Sequence, residues 1–120
     1  MLGVRIMKTL DNMTLGKNER EAIEAAVSML KKTFSVERAI LFGSKARGDF
    51  DESSDIDLLI ITSRPLHWRE EKSIVEALFD LGMKYDAIFS PLFASLEEWE
   101  GGIFKEFPVY GEIVKEGAIV

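Results

Sequence analysis

The chain contains no cysteine, which excludes a disulfide framework and a thiolate metal site. That absence fits a reducing compartment. It has one histidine, His67, beside Pro65 and Trp68, where it reads as helix-entry surface and not as a base. No stretch approaches the ~20 apolar residues of a membrane span. Met1 to Leu10 holds no sustained apolar run and already carries Arg5 and Lys8, so no signal peptide is expected and the expected location is cytoplasmic. Basic residues are also few: 15 Lys and Arg against 21 Asp and Glu leave a formal charge of −6. That argues against direct nucleic-acid binding through a broad phosphate grip.

What is present is the balance of a globular protein, with 47% hydrophobic and 30% charged residues in 120. This is enough for one compact domain over 1–120 with its own core. Ile23, Ala26, Val27 and Leu30 fall at helical spacing between Lys17 and Lys32, with Phe34 extending the stripe and Thr14 or Asn18 available as N-cap. Two short apolar runs, Ala39–Phe42 and Leu58–Ile61, read as the cores of buried strands over Arg38 to Phe42 and Asp55 to Ile61. A second helix is expected over Trp68 to Leu81, with Ile74, Val75, Leu78 and Phe79 inward and Gly82 as its stop. A third strand is expected over Lys84 to Phe89, ended by Ser90-Pro91. Ser95-Leu96-Glu97-Glu98 has capping-box spacing, a last helix begins near Pro108, and Ala118 to Val120 offers a short terminal strand. Val4 to Met7 reads as an edge strand or a loose arm. Trp68 and Trp99 are expected to be packing residues. The pattern is an α/β (α+β) protein of at least three strands.

The chemistry-bearing residues sit between the first two strands. Asp55 and Asp57 are two apart on a strand, so both side chains point to one face. Paired carboxylates on a rigid element suit Mg²⁺; the bland alternative is two surface acids at a strand end. Gly43 lets a ligand approach the backbone, Ser44 adds a hydroxyl, and Lys45 and Arg47 are candidate counter-charges for phosphate. A plain turn has the same composition. Gly43 and Gly48 have P-loop spacing, but Asp49-Phe50 stands where Lys-Ser/Thr is required, so there is no Walker A. Asp86, on the expected third strand, could join the two acids from the side. Asp49, Asp51 and Glu52 read as a solvated loop. Phe93, Ile103, Phe104, Phe107, Val109 and Tyr110 are read as core, or as a partner surface.

The string F-G-S-K-A-R-G-D-F-D-E-S-S-D-I-D-L-L-I resembles the signature of the polymerase-beta-type nucleotidyltransferase superfamily, in its minimal nucleotidyltransferase (MNT) branch. The resemblance runs from about Ile23 to Gly117. It implies a small mixed β-sheet with flanking helices, and two Mg²⁺ ions held by Asp55, Asp57 and Asp86. It implies nucleotide phosphates on Gly43, Ser44 and Arg47, and transfer of AMP from ATP to an acceptor. Larger enzymes with this signature carry a second domain, for which this chain is expected to have no room. The acceptor surface would then come from a partner chain or from a second copy in a homo-oligomer. MNT proteins often act as antitoxins toward a helical HEPN-like partner, in some cases by adenylylating it. The alternatives are neutralisation of the partner by contact alone, and transfer onto a small molecule such as an aminoglycoside.

Overall fold

The computed structural model describes residues 8–9, 15–48 and 55–120. The expected arm at Val4 to Met7, the Thr14 cap and the loop acids Asp49, Asp51 and Glu52 lie outside the described residues. The elements are β1 (Lys8–Thr9), α1 (Lys17–Thr33), β2 (Val36–Phe42), α2 (Ser44–Arg47), β3 (Ile56–Thr62), α3 (Trp68–Tyr85), β4 (Phe89–Ser95), α4 (Leu96–Gly101), a 3₁₀ turn (Ile103–Glu106), α5 (Pro108–Glu116) and β5 (Ala118–Ile119). The strands form one mixed sheet in the order β1-β5-β2-β3-β4. β2 runs antiparallel to β3 and β5, while β3 and β4 are parallel.

The central strand explains its own sequence. Leu58 to Ile61 are fully buried, because helices cover both faces, and a strand covered twice is apolar at successive positions. On one face, Leu58 and Ile60 pack with Ile23, Ala26 and Leu30 of α1 and Ile74 and Leu78 of α3. On the other, Leu59 and Ile61 pack with Trp99, Phe104 and Ile113. Trp99 is therefore a packing residue. Trp68 is not, being 61% exposed.

α1 starts with Gly16 as its N-cap, not Asn18, and the Glu19 carboxylate accepts the Gly16 N–H at 3.1 Å. Asn18 instead reaches α3, where its side-chain amide donates to the Tyr85 carbonyl at 2.6 Å and satisfies one of the free carbonyls at the helix end. α3 runs one turn beyond Gly82 to Tyr85. Gly82 is nonetheless needed, since a Cβ there would strike the Ala87 carbonyl as the chain doubles back. Of the expected inner stripe, Ile74 and Leu78 are buried, whereas Val75 and Phe79 are exposed.

The third long strand is Phe89–Ser95, not Lys84 to Phe89. Pro91 lies within it, opposite Leu58, which is tolerated because β4 is an edge strand. Ser95 then caps α4, accepting the Glu98 N–H at 3.1 Å while the Glu98 carboxylate accepts the Ser95 N–H at 2.8 Å. Pro108 opens α5, and β5 follows it.

Candidate active site

Phe42, the last residue of β2, is paired with Asp57 of β3, so the Gly43-Ser44 turn and the two aspartates meet at one end of the sheet. Gly43 adopts φ 76° and ψ −157°, a region essentially restricted to glycine. A Cβ at this position would strike Oδ2 of Asp57. The turn therefore requires glycine twice over, once for its backbone and once for the space that the carboxylate occupies. After Gly43 the chain forms the single turn α2, closed by the Gly48 N–H donating to the Ser44 carbonyl at 2.9 Å.

Strand alternation separates the polar residues onto two faces. Ile56 and Leu58 belong to the core under α1 and α3. Asp57 lies on the face of Leu59 and Ile61, towards α5, and its parallel neighbour on β4 is Ser90. Asp55 precedes the strand and is exposed. Burial, followed by the negative charge of Asp55, pushes the Asp57 carboxyl above its ordinary range; Arg47 pulls it partly down and Glu112 adds to the rise. The cause is physical: a partly desolvated carboxylate beside another carboxylate favours its neutral form.

Arg47 is at the same place. Its Nη1 lies 3.3 Å from Oε2 of Glu116 and 3.8 Å from Oε1 of Glu112. Sequence reasoning missed these two α5 glutamates. Their four-residue spacing, which puts both on one helix face, is the signal that could have found them. Lys45, by contrast, points away from Asp57. It is buried, pairs with Glu19 of α1, and fastens α2 to that helix. The expectation that Lys45 offers its charge to phosphate is corrected accordingly, because its ammonium lies on the opposite side of the sheet from Asp57.

Asp86 is also displaced from the strand position that the sequence predicts. It caps α3 in the left-handed conformation, at φ 54° and ψ 49°, which aspartate tolerates better than most residues. It lines a groove with Ile56, Lys45 and Phe89, on the α1–α3 side of the sheet. The structure brings Gly43, Ser44, Arg47, Asp55 and Asp57 to one end of the sheet but does not bring Asp86 to the aspartate pair. The reason is the later start of the strand, which puts Ser90 beside Asp57. Among the described residues, no group of three or more His, Cys, Asp or Glu side chains gathers as a metal site. The pair alone still suits a hard divalent cation. Two adjacent carboxylates supply oxygen ligands, a cation would offset the burial and like charge that disfavour the ionised form of Asp57, and Mg²⁺ commonly completes its shell with water and phosphate oxygens.

Comparison with known proteins identifies the family. The sequence profile of the family described as "Polymerase beta, Nucleotidyltransferase" matches residues 24–92. Putative protein adenylyltransferase MJ0604 of Methanocaldococcus jannaschii is 30% identical over 105 residues, covering 86% of this chain and 98% of that protein. Putative protein adenylyltransferase MJ0141 of the same organism is 42% identical over 57 residues, which is 48% of this chain and 58% of that protein. The chain thus spans little more than half the length of the second relative. A crystal structure of a toxin–antitoxin with AMP-PNP shares the fold, with a TM-score of 0.52 and 16% identity over 82% of this chain and 69% of the other. A mutant MntA-HpeT toxin–antitoxin structure also has a TM-score of 0.52, with 15% identity over 88% and 72%. No helix among the described residues is long and apolar enough to cross a membrane. The chain belongs to the polymerase beta nucleotidyltransferase family, and its motif and sheet agree with the minimal branch of that family.

Proposed function

We propose that the protein transfers AMP from ATP to an acceptor on a HEPN-like partner protein, and so acts as the antitoxin of a toxin–antitoxin pair. The observation that carries this reading is the fit of the Asp57 carboxylate into the space left by Gly43, with Asp55 and Arg47 beside it. Gly43 and Ser44 would face the triphosphate, and Arg47 would balance its charge. Asp55 and Asp57 would hold Mg²⁺, which supplies charge neutralisation at the phosphates and a lower pKa for the attacking oxygen. The acceptor oxygen would bond to the α-phosphorus, the bond from that phosphorus to the bridging oxygen would break, and pyrophosphate would leave as the acceptor proton passes to water. Asp86, on the other side of the sheet, has no part in this proposal. The names of the two relatives, and the toxin–antitoxin assemblies that share the fold, support a protein acceptor.

The test is incubation with α-labelled ATP, Mg²⁺ and the product of the adjacent gene. Label should appear on that partner and be lost with Asp55→Asn or Asp57→Asn. Equal labelling by the variants refutes the proposal.

A second reading, neutralisation by contact alone, is favoured by Ser90, not an acid, standing beside Asp57. In that case the Asp55→Asn/Asp57→Asn double variant would silence the partner at full strength.

A further inference from the structure

The outward face of α3 is apolar where a solvated helix would be polar. Trp68, Val75, Phe79 and Met83 recur at intervals of seven, four and four, which places them on one face of the helix. They are 61, 43, 68 and 71% exposed, and Ile88, just beyond the helix, is 63% exposed. Val75, Phe79, Met83 and Ile88 border a single groove of about 830 Å³, floored by Leu78, Gly82 and Phe89. Side chains of this size leave a patch of roughly a few hundred Å² open, the scale of the largest apolar patch on a typical monomer, which is often functional.

The charges along this face indicate what covers it. Lys72 lies within the apolar stripe toward the start of the helix, and Glu76 and Asp80 border it toward the end. Such a pattern is self-complementary when two copies of the helix lie antiparallel. With Trp68 of one copy opposite Met83 of the other, Lys72 falls opposite Phe79, within a turn of both Glu76 and Asp80. Val75 and Glu76 then lie at the two-fold axis, where the two Glu76 carboxylates come near each other and are balanced by the flanking Lys72 ammonium groups. The indole meets a thioether, a favourable contact, and each Lys72 faces two carboxylates. The opposed helix dipoles also cancel.

We propose that a second copy of this chain docks on the outward face of α3, the two helices antiparallel about a two-fold axis at Val75 and Glu76. Isologous pairing of this kind closes on itself as a dimer. The patch is smaller than the roughly 800 Å² per partner of a standard interface, so the dimer should be a reversible one in the micromolar range. The groove floor includes Lys45 and Ile56, the immediate neighbours of Ser44 and of both aspartates. The second copy would therefore cover the back of the catalytic end and leave its α5 side open. Such a dimer requires neither the acceptor nor catalysis.

The absence of cysteine makes the test direct. Val75→Cys, at the axis, should form a disulfide-linked dimer under mild oxidation, whereas Glu97→Cys on α4 should not. Sedimentation velocity from about 10 to 200 µM, which brackets the affinity expected of a small interface, should show the natural chain passing from monomer to dimer. Phe79→Asp, at an exposed site that leaves the circular dichroism unchanged, should remain monomeric. Lys72→Glu and Asp80→Lys should each weaken association roughly tenfold, and the double variant should associate more tightly than Lys72→Glu alone, because one of the two facing pairs is restored while Glu76 still opposes the reversed charge at position 72. A natural chain that stays monomeric throughout overturns the proposal. So does a dimer indifferent to Phe79→Asp, cross-linking of Val75→Cys no greater than that of Glu97→Cys, or a double variant that associates no more tightly than Lys72→Glu alone.

Discussion

Replacing Gly43 by alanine tests the construction of the candidate site most sharply. Two costs arise. The backbone must hold an L-residue at φ 76° and ψ −157°, which costs about 1–3 kcal/mol. The new methyl would also strike Oδ2 of Asp57 and lie 3.2 Å from its Cγ. The carboxylate must therefore leave its position, at about 0.5–1.5 kcal/mol for an off-rotamer side chain. The sum is about 1.5–4.5 kcal/mol, or a fall in Tm of about 6–18 °C at about 4 °C per kcal/mol for a chain of this size. Urea or thermal unfolding measures it directly. The same substitution in an Asp57→Ala background keeps the backbone cost and loses the collision, so Gly43→Ala should there cost about 1 kcal/mol less. If the two substitutions prove additive to within about 0.3–0.5 kcal/mol, Gly43 and Asp57 do not share the space described, and the site is not built on their contact.

Two further outcomes follow from the charges. Asp57 carries a raised carboxyl pKa, first from burial and then from Asp55, and a carboxyl raised in the folded state costs stability as pH rises through its folded value. Asp57→Asn should therefore raise Tm at pH 8 in metal-free buffer, with the advantage shrinking towards pH 4; thermal melts at both values check it, and an unchanged or lower Tm at pH 8 counts against the assignment. Glu70 behaves oppositely: the Arg64 guanidinium, followed by the His67 N–H, lowers its carboxyl from 4.5 to about 2. Its stabilisation is complete above the ordinary value and is lost as pH falls from about 4.5 towards about 2. Carbon-detected titration of the Glu70 carboxyl should follow that course, and Arg64→Ala should move the midpoint upward.

Local features are legible in the amino acids because their causes are local. The Ser95 capping box, Pro108 at the start of α5, and the alternation that buries Ile56 and Leu58 on one side of Asp57 all depend on near neighbours. The helix pattern of α3 is legible too, but not its end. Gly82 has the chemistry of a stop signal, yet α3 continues to Tyr85, whose carbonyl accepts the Asn18 amide from a helix 67 positions away in sequence. That extension moves Asp86 off the strand and places Ser90 beside Asp57. Spacing alone assigns Val75 and Phe79 to the core, whereas α1 covers only the Ile74 and Leu78 side of the helix.

By itself, then, the sequence determined the two strands, the glycine turn and aspartate pair at their ends, and the family to which they belong. Spacing along a strand and the demands of a turn require no knowledge of distant residues. Only the tertiary structure decided which charges meet. It put Lys45 against Glu19 and Arg47 against Glu112 and Glu116, on opposite faces, although the two basic residues are two apart on α2. It also placed Asp86 across the sheet from the aspartate pair. Sequence distance carries no information about which side of a sheet a side chain reaches once a helix end has shifted. That side is decided by the register of β3 with β4 and by the helices packed on each face.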